Sequence, residues 1–242
     1  MNPRVRAVFA KELREFRRNK FVVGTMVVLP LFFIVLPIGN ILSLKAGTSA
    51  AAIRSVVGGA GLTFFLVPLI LPTVIAGYSV VGEREGGTLE PVLTTPVSGG
   101  ELLMGKALAA IVPTVAIAYA LYLAYVLVVR SSAIPAVVDV VWQPSQVLAV
   151  ALFSPLLATF SIWVGLAISA RSSDVRVAQQ LAALAMLPVL GLTALFTFRV
   201  IQPTVTVAVI GALILVVFDA GAWRVVSAMF DRERILTRYG KT

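Results

Sequence analysis

Charged residues are absent from six successive stretches of the chain: Phe21–Leu44, Ser55–Gly82, Ala107–Val129, Val140–Ala170, Val177–Phe198 and Val200–Phe218. Crossing a bilayer takes about 20 mostly apolar residues in helical form, and a charge at the middle of a span costs about 2.5–3.5 kcal/mol on insertion scales. The pattern therefore predicts an all-α, polytopic membrane protein. Six transmembrane helices are expected at about residues 21–44, 56–81, 106–129, 147–169, 176–198 and 204–223. They account for nearly the whole of residues 1–242, so a single transmembrane domain is expected, with no room for a second, soluble one.

Ahead of the first stretch the period changes. Val5, Val8, Phe9, Leu13 and Phe16 recur at helical spacing, while Arg6, Arg14, Arg17 and Arg18 spread over the opposite face. Residues 4–20 thus read as an amphipathic helix lying on the membrane surface. Glu12 falls inside the apolar stripe. Its carboxylate either pairs with a neighbouring base or docks another protein, and the sequence leaves both open. Most of the spans contain proline: Pro30 and Pro37, Pro68 and Pro72, Pro113, Pro155 and Pro188 in the first five. Each removes a helical hydrogen bond and tends to kink its helix.

Charge placement sets the orientation. With the N-terminus inside, sixteen of the twenty Lys and Arg fall on the cytoplasmic side and four outside. The positive-inside rule then places both termini in the cytoplasm, as six crossings require, in the cell membrane. This distribution turns the net charge of +9 from a nucleic-acid signal into one for anionic lipid headgroups. Only 13% of residues are charged, about half the share of a soluble domain. The absence of histidine and cysteine removes the commonest general base, the commonest metal ligands and thiolate chemistry. No signal-peptide pattern precedes the first span.

The outer loops are short; Trp142, in the loop 130–143, suits an interfacial anchor. The first cytoplasmic loop, residues 83–105, holds four of the eleven carboxylates. Thr88 is placed to cap a short helix, Glu90 lies in its first turn, and Leu89, Val92 and Leu93 give it a compact apolar face. Pro96 ends it. Ser98-Gly99-Gly100-Glu101 looks like the signature sequence of ATP-binding-cassette ATPases, but Ser-x-x-Glu before an apolar run is a capping box. No G-x-x-x-x-G-K-[ST] phosphate loop occurs.

Glu83, Glu85, Gly87, Thr88, Leu89 and Glu90, followed by Thr95-Pro96-Val97-Ser98, Glu101 and Gly105-Lys106, resemble the first cytoplasmic loop of type-2 ATP-binding-cassette exporter permeases. Lys11-Glu12-Leu13 with its basic cluster is similar to that family's interfacial helix. The resemblance implies that the loop helix is a coupling helix seated on a separate ATPase. It further implies two ATPase subunits, which bind ATP and magnesium, and a second permease copy or a homologous permease. This chain itself is expected to bind no cofactor, metal or nucleic acid and to catalyse nothing. The stretch 199–203 is shorter than the re-entrant helices common in those relatives.

A second cytoplasmic loop offers Ser173, Asp174 and Arg176, as a helix cap with lipid anchoring or as a second ATPase contact. Gln179, Gln180 and Asp219 are the intramembrane polar candidates, with Asp219 expected near the cytoplasmic end of the sixth span. Polar side chains in the spans are otherwise few, which favours a hydrophobic or amphiphilic cargo such as a drug or lipid. A sodium-extruding permease of the same family and a membrane anchor that moves no cargo are the alternatives.

Overall fold

The computed structural model of the chain describes residues 2–77, 81–82, 97–197 and 204–229, with backbone alone for 196 and 197. The described residues form helices and no strands. In order they are α1 (Pro3–Arg18), α2 (Lys20–Leu42), α3 (Ala50–Gly77), α4 (Gly99–Ser132), α5 (Pro135–Val141), α6 (Pro144–Ser169), α7 (Val175–Ala185), α8 (Leu187–Thr197) and α9 (Val205–Met229). Six segments are long and apolar enough to cross a membrane: α2, α3, α4, α6, α9 and Val175–Leu195, which runs from α7 into α8.

α1 is the amphipathic helix that the sequence periodicity predicts. It buries Val5, Val8, Glu12 and Phe16 and leaves its arginines exposed. One residue both stops α1 and starts α2. The Asn19 backbone N–H returns to the carbonyls of Glu15 and Phe16, while its side chain accepts from the N–H groups of Phe21 and Val22. The chain therefore turns sharply into the first span with its helix ends satisfied.

α3 and α6 form the centre of the bundle and run parallel. Gly165 lets them approach closely, because a Cβ there would meet Ala76 at 2.5 Å and the Thr73 backbone at 3.4 Å. α2 and α9 are peripheral and present large apolar side chains outward, such as Val28, Phe32, Val217 and Phe218. In a bilayer those faces meet lipid. One core cluster joins α1 to the neighbouring ends of the spans through Phe16, Ile75, Leu103, Ile162 and Val226. Another lies at the opposite end, where Phe64 packs against Tyr125 and Tyr122 with ring centroids 4.8 and 5.6 Å apart.

Two features depart from the sequence pattern. The loop after α4 contains the short helix α5, with Pro135 at its first turn and Val137 and Val141 buried. The fifth span is interrupted at Met186, which closes α7 before α8 begins. Pro188 has no N–H to offer Leu184, so the break falls where a continuous helix would lose a bond.

Candidate functional site: the frame of the loop between α3 and α4

Glu83, Glu85, Gly87, Thr88, Leu89, Glu90, Val92 and Leu93 lie outside the described residues. The structure does describe the residues that flank that loop, and polar contacts to other helices hold both flanks.

At the upstream end, the hydroxyl of Ser169 on α6 bridges the last residue of α3 to Val81. It donates to the Gly77 carbonyl at 3.3 Å and accepts from the Val81 N–H at 3.3 Å. Ser169 is fully buried, so this bridge is shielded from solvent. Gln179 on α7 reinforces it. Its amide donates to the Val74 carbonyl at 3.3 Å, and its chain lies so close to Gly77 that a Cβ there would meet Gln179 Cγ at 2.5 Å.

At the downstream end, α4 begins with a complete capping box. The Ser98 hydroxyl accepts from the Glu101 N–H at 3.3 Å, and the Glu101 carboxylate accepts from the Ser98 N–H at 2.9 Å. The motif that looked like an ATPase signature is thus a helix start. Glu101 also reaches α1, accepting from the Asn2 side-chain amide at 2.6 Å and lying 3.7 Å from Arg4. One turn on, a Cβ on Gly105 would meet Val8 Cγ1 at 2.5 Å, so α1 and α4 touch almost backbone to backbone. Beneath that contact, Lys106 Nζ lies 2.9 Å from Glu12 Oε1, with both side chains 3% exposed or less. Lys11 adds a 3.3 Å contact to the same carboxylate and a 3.2 Å contact to Glu15. The carboxylate in the apolar stripe of α1 is therefore turned inward onto a base of α4.

The other polar candidates separate. Asp174 caps α7, accepting from the N–H groups of Arg176 and Val177 at 2.7 and 3.1 Å. Ser173, Arg176 and Gln180 are exposed; the adjacent Ser172 is buried and donates to the Ile168 carbonyl. Asp219 lies ten residues before Met229, where α9 ends, about 15 Å along the helix at 1.5 Å per residue. Its carboxylate is buried.

Sequence reading gave Lys106 a place in a motif but no partner, and it passed over Asn2 and Ser169. The available signal was a base just inside an apolar run matched by an acid inside an apolar stripe. Nothing in the sequence marks Ser169, whose role depends on where α6 lies. An apolar cavity of about 70 Å³ lies at the opposite end of the bundle, lined by Phe65, Phe153, Leu148, Thr193 and Ala208.

Residues 3–206 match the family described as ABC-2 type transporter. The chain belongs to that family. Among curated proteins it is similar to the probable ABC transporter permease protein NosY of Pseudomonas aeruginosa, 34% identical over 108 residues, covering 43% of this chain and 38% of the relative. It is also similar to the protein of the same name from Stutzerimonas stutzeri, 38% identical over 104 residues, covering 40% of this chain and 34% of the relative. The chain thus aligns to little more than a third of the length of these relatives.

Proposed function

We propose that this chain is the permease subunit of an ATP-driven exporter, with ATP hydrolysed by two separate ATPase subunits. Its cargo is a hydrophobic or amphiphilic molecule, moved out of the cytoplasm or the inner leaflet. The observation that carries this reading is the buried Glu12–Lys106 pair, which fastens α1 to α4 just downstream of the loop. A force applied to residues 88–93 by a partner would enter α4 at Glu101 and reach α1 through Asn2, Gly105 and Lys106. At the other end it would enter α6 and α7 through Ser169 and Gln179. Three spans and the surface helix would then move together, which is what alternating access requires of a rocking bundle.

Family membership and the relatives named as permeases support the transporter role. The apolar lining of the cavity between α3, α6, α8 and α9 supports an apolar cargo. In this reading both termini and the loop 83–96 face the cytoplasm, and a second permease, identical or homologous, completes the path. Ser173 and Arg176, exposed beside the Asp174 cap, provide a second contact for the ATPase.

The test is co-expression with a candidate ABC ATPase, purification of the assembly and measurement of ATP-dependent uptake of lipophilic dyes into inverted vesicles. Retention of the ATPase with uptake is the expected result. Retention without uptake of any cargo would leave an anchoring subunit in its place, and sodium-dependent uptake alone would replace the lipophilic cargo with an ion.

A further inference from the structure

Asp219 lies within α9, on the narrow stripe that also buries Ala212 and Val226. The rest of α9 faces outward, with Leu213, Val217 and Phe218 among its exposed side chains. Both carboxylate oxygens of Asp219 are buried, and neither has a hydrogen-bond partner among the described residues. One turn towards Val205, Leu215 packs into the cluster of Leu69, Leu157 and Phe160. One turn towards Met229, Trp223 meets Trp163 edge-on at 5.1 Å. The carboxyl is thus sandwiched between two apolar layers where α9 packs on α6.

Among the described residues no cation offsets it there. α6 carries no charged residue from Pro144 to Ser169. On α4, Lys106 is engaged by Glu12, Glu101 is held at α1, and Arg130 lies at the far end, as does Arg54 of α3. On α9 itself, Arg224 is exposed on another face. An uncompensated carboxylate in so dry a setting is strongly disfavoured. A metal ion would need several oxygen ligands, and the described residues hold no cluster of three acidic side chains. Neither the cavity beside Phe153 nor one lined by Val126, Arg130 and Trp142 includes Asp219.

We propose that Asp219 is a proton-binding position, carrying a neutral carboxylic acid while α9 is packed on α6. The inference concerns the chain alone and does not depend on the exporter reading, so it is tested without an ATPase.

The experiment is infrared difference spectroscopy of the purified chain in lipid nanodiscs at neutral pH, wild type minus Asp219→Asn. The expected result is a carbonyl band of a protonated carboxylic acid in the wild type, lost in Asp219→Asn and regained, shifted, in Asp219→Glu. Hydrophobic carbodiimide labelling read by mass spectrometry provides a second measure. It should modify Asp219 and spare Glu12, which is equally buried but paired with Lys106. A wild-type spectrum lacking the band at Asp219 would overturn the proposal, because the carboxyl would then be ionised inside the bundle.

Discussion

The Tyr119 hydroxyl of α4 donates a 2.7 Å hydrogen bond to the carbonyl oxygen of Ala151 on α6. Ala151 lies four residues before Pro155, and its carbonyl is the one that proline leaves without a helical partner. A neighbouring span thus satisfies the group that a break in the ladder exposes, as a bilayer interior requires. Tyr119→Phe should therefore lower stability by about 0.6–2 kcal/mol, the range for hydrogen bonds between membrane helices. Unfolding of the purified protein in mixed detergent measures it. In a Pro155→Ala background, where residue 155 regains its N–H, the same substitution should cost much less. Equal costs in both backgrounds would show that the hydroxyl serves some other purpose.

The pair between Glu12 and Lys106 is buried on both sides. Lys106→Met leaves Glu12 without its closest base and should destabilise the chain by about 3–5 kcal/mol, as should Glu12→Met in the opposite sense of charge. The double variant removes both charges and should recover most of that loss. In the assembled complex the double variant should still insert and yet transmit less, read as ATP hydrolysis no longer stimulated by cargo.

Ser169→Ala removes the hydroxyl that bridges Gly77 and Val81. The Val81 amide then loses its acceptor. Its hydrogen exchange should quicken about fivefold, corresponding to a local loss of about 1 kcal/mol. Exchange at Ala109 and Ala110, deep in α4, should not change.

Asp174→Ala should cost about 0.5–2 kcal/mol, since it strips the N-cap from α7. Asp174→Asn and Asp174→Ser keep a capping oxygen and should retain most of the stability. If those two variants also keep full ATPase retention on co-expression, the charge of Asp174 is not part of a docking surface.

Because the chain has no cysteine, single cysteines report sidedness directly. Thr94→Cys and Ser173→Cys should resist a membrane-impermeant maleimide in intact cells and react in inverted vesicles. Trp142→Cys, at a position 58% exposed at the opposite end, should show the reverse. Labelling of Thr94→Cys from outside would invert the proposed coupling.

Local signals carried much of the fold because they require only neighbours in sequence. The six apolar stretches, the surface helix and the capping box at Ser98 and Glu101 rest on charge spacing, a 3.6-residue period and a four-residue motif. α5 was not legible, since seven residues beside a proline carry too short a period. The break at Met186 was foreshadowed by Pro188, although a proline alone does not say whether a span bends or divides. Of the proposed coupling residues, 83–93 were read from a motif and lie outside the described residues, whereas their anchorage at Ser169 and Glu12 emerged only from packing.

What the sequence determined by itself is how many times the chain can cross a bilayer, and where. The cost of desolvating a charge or a backbone group is set residue by residue and needs no partner to be known. Tertiary structure alone decided which polar groups meet. Glu12 and Lys106 are 94 residues apart, and Ser169 and Val81 are 88 apart; their contact depends on how closely the helices approach. That approach is set by small residues such as Gly105 and Gly165, whose missing side chains leave no periodic signal. The same packing left Asp219 dry and without a partner among the described residues, a condition that no count of charges along the chain could express.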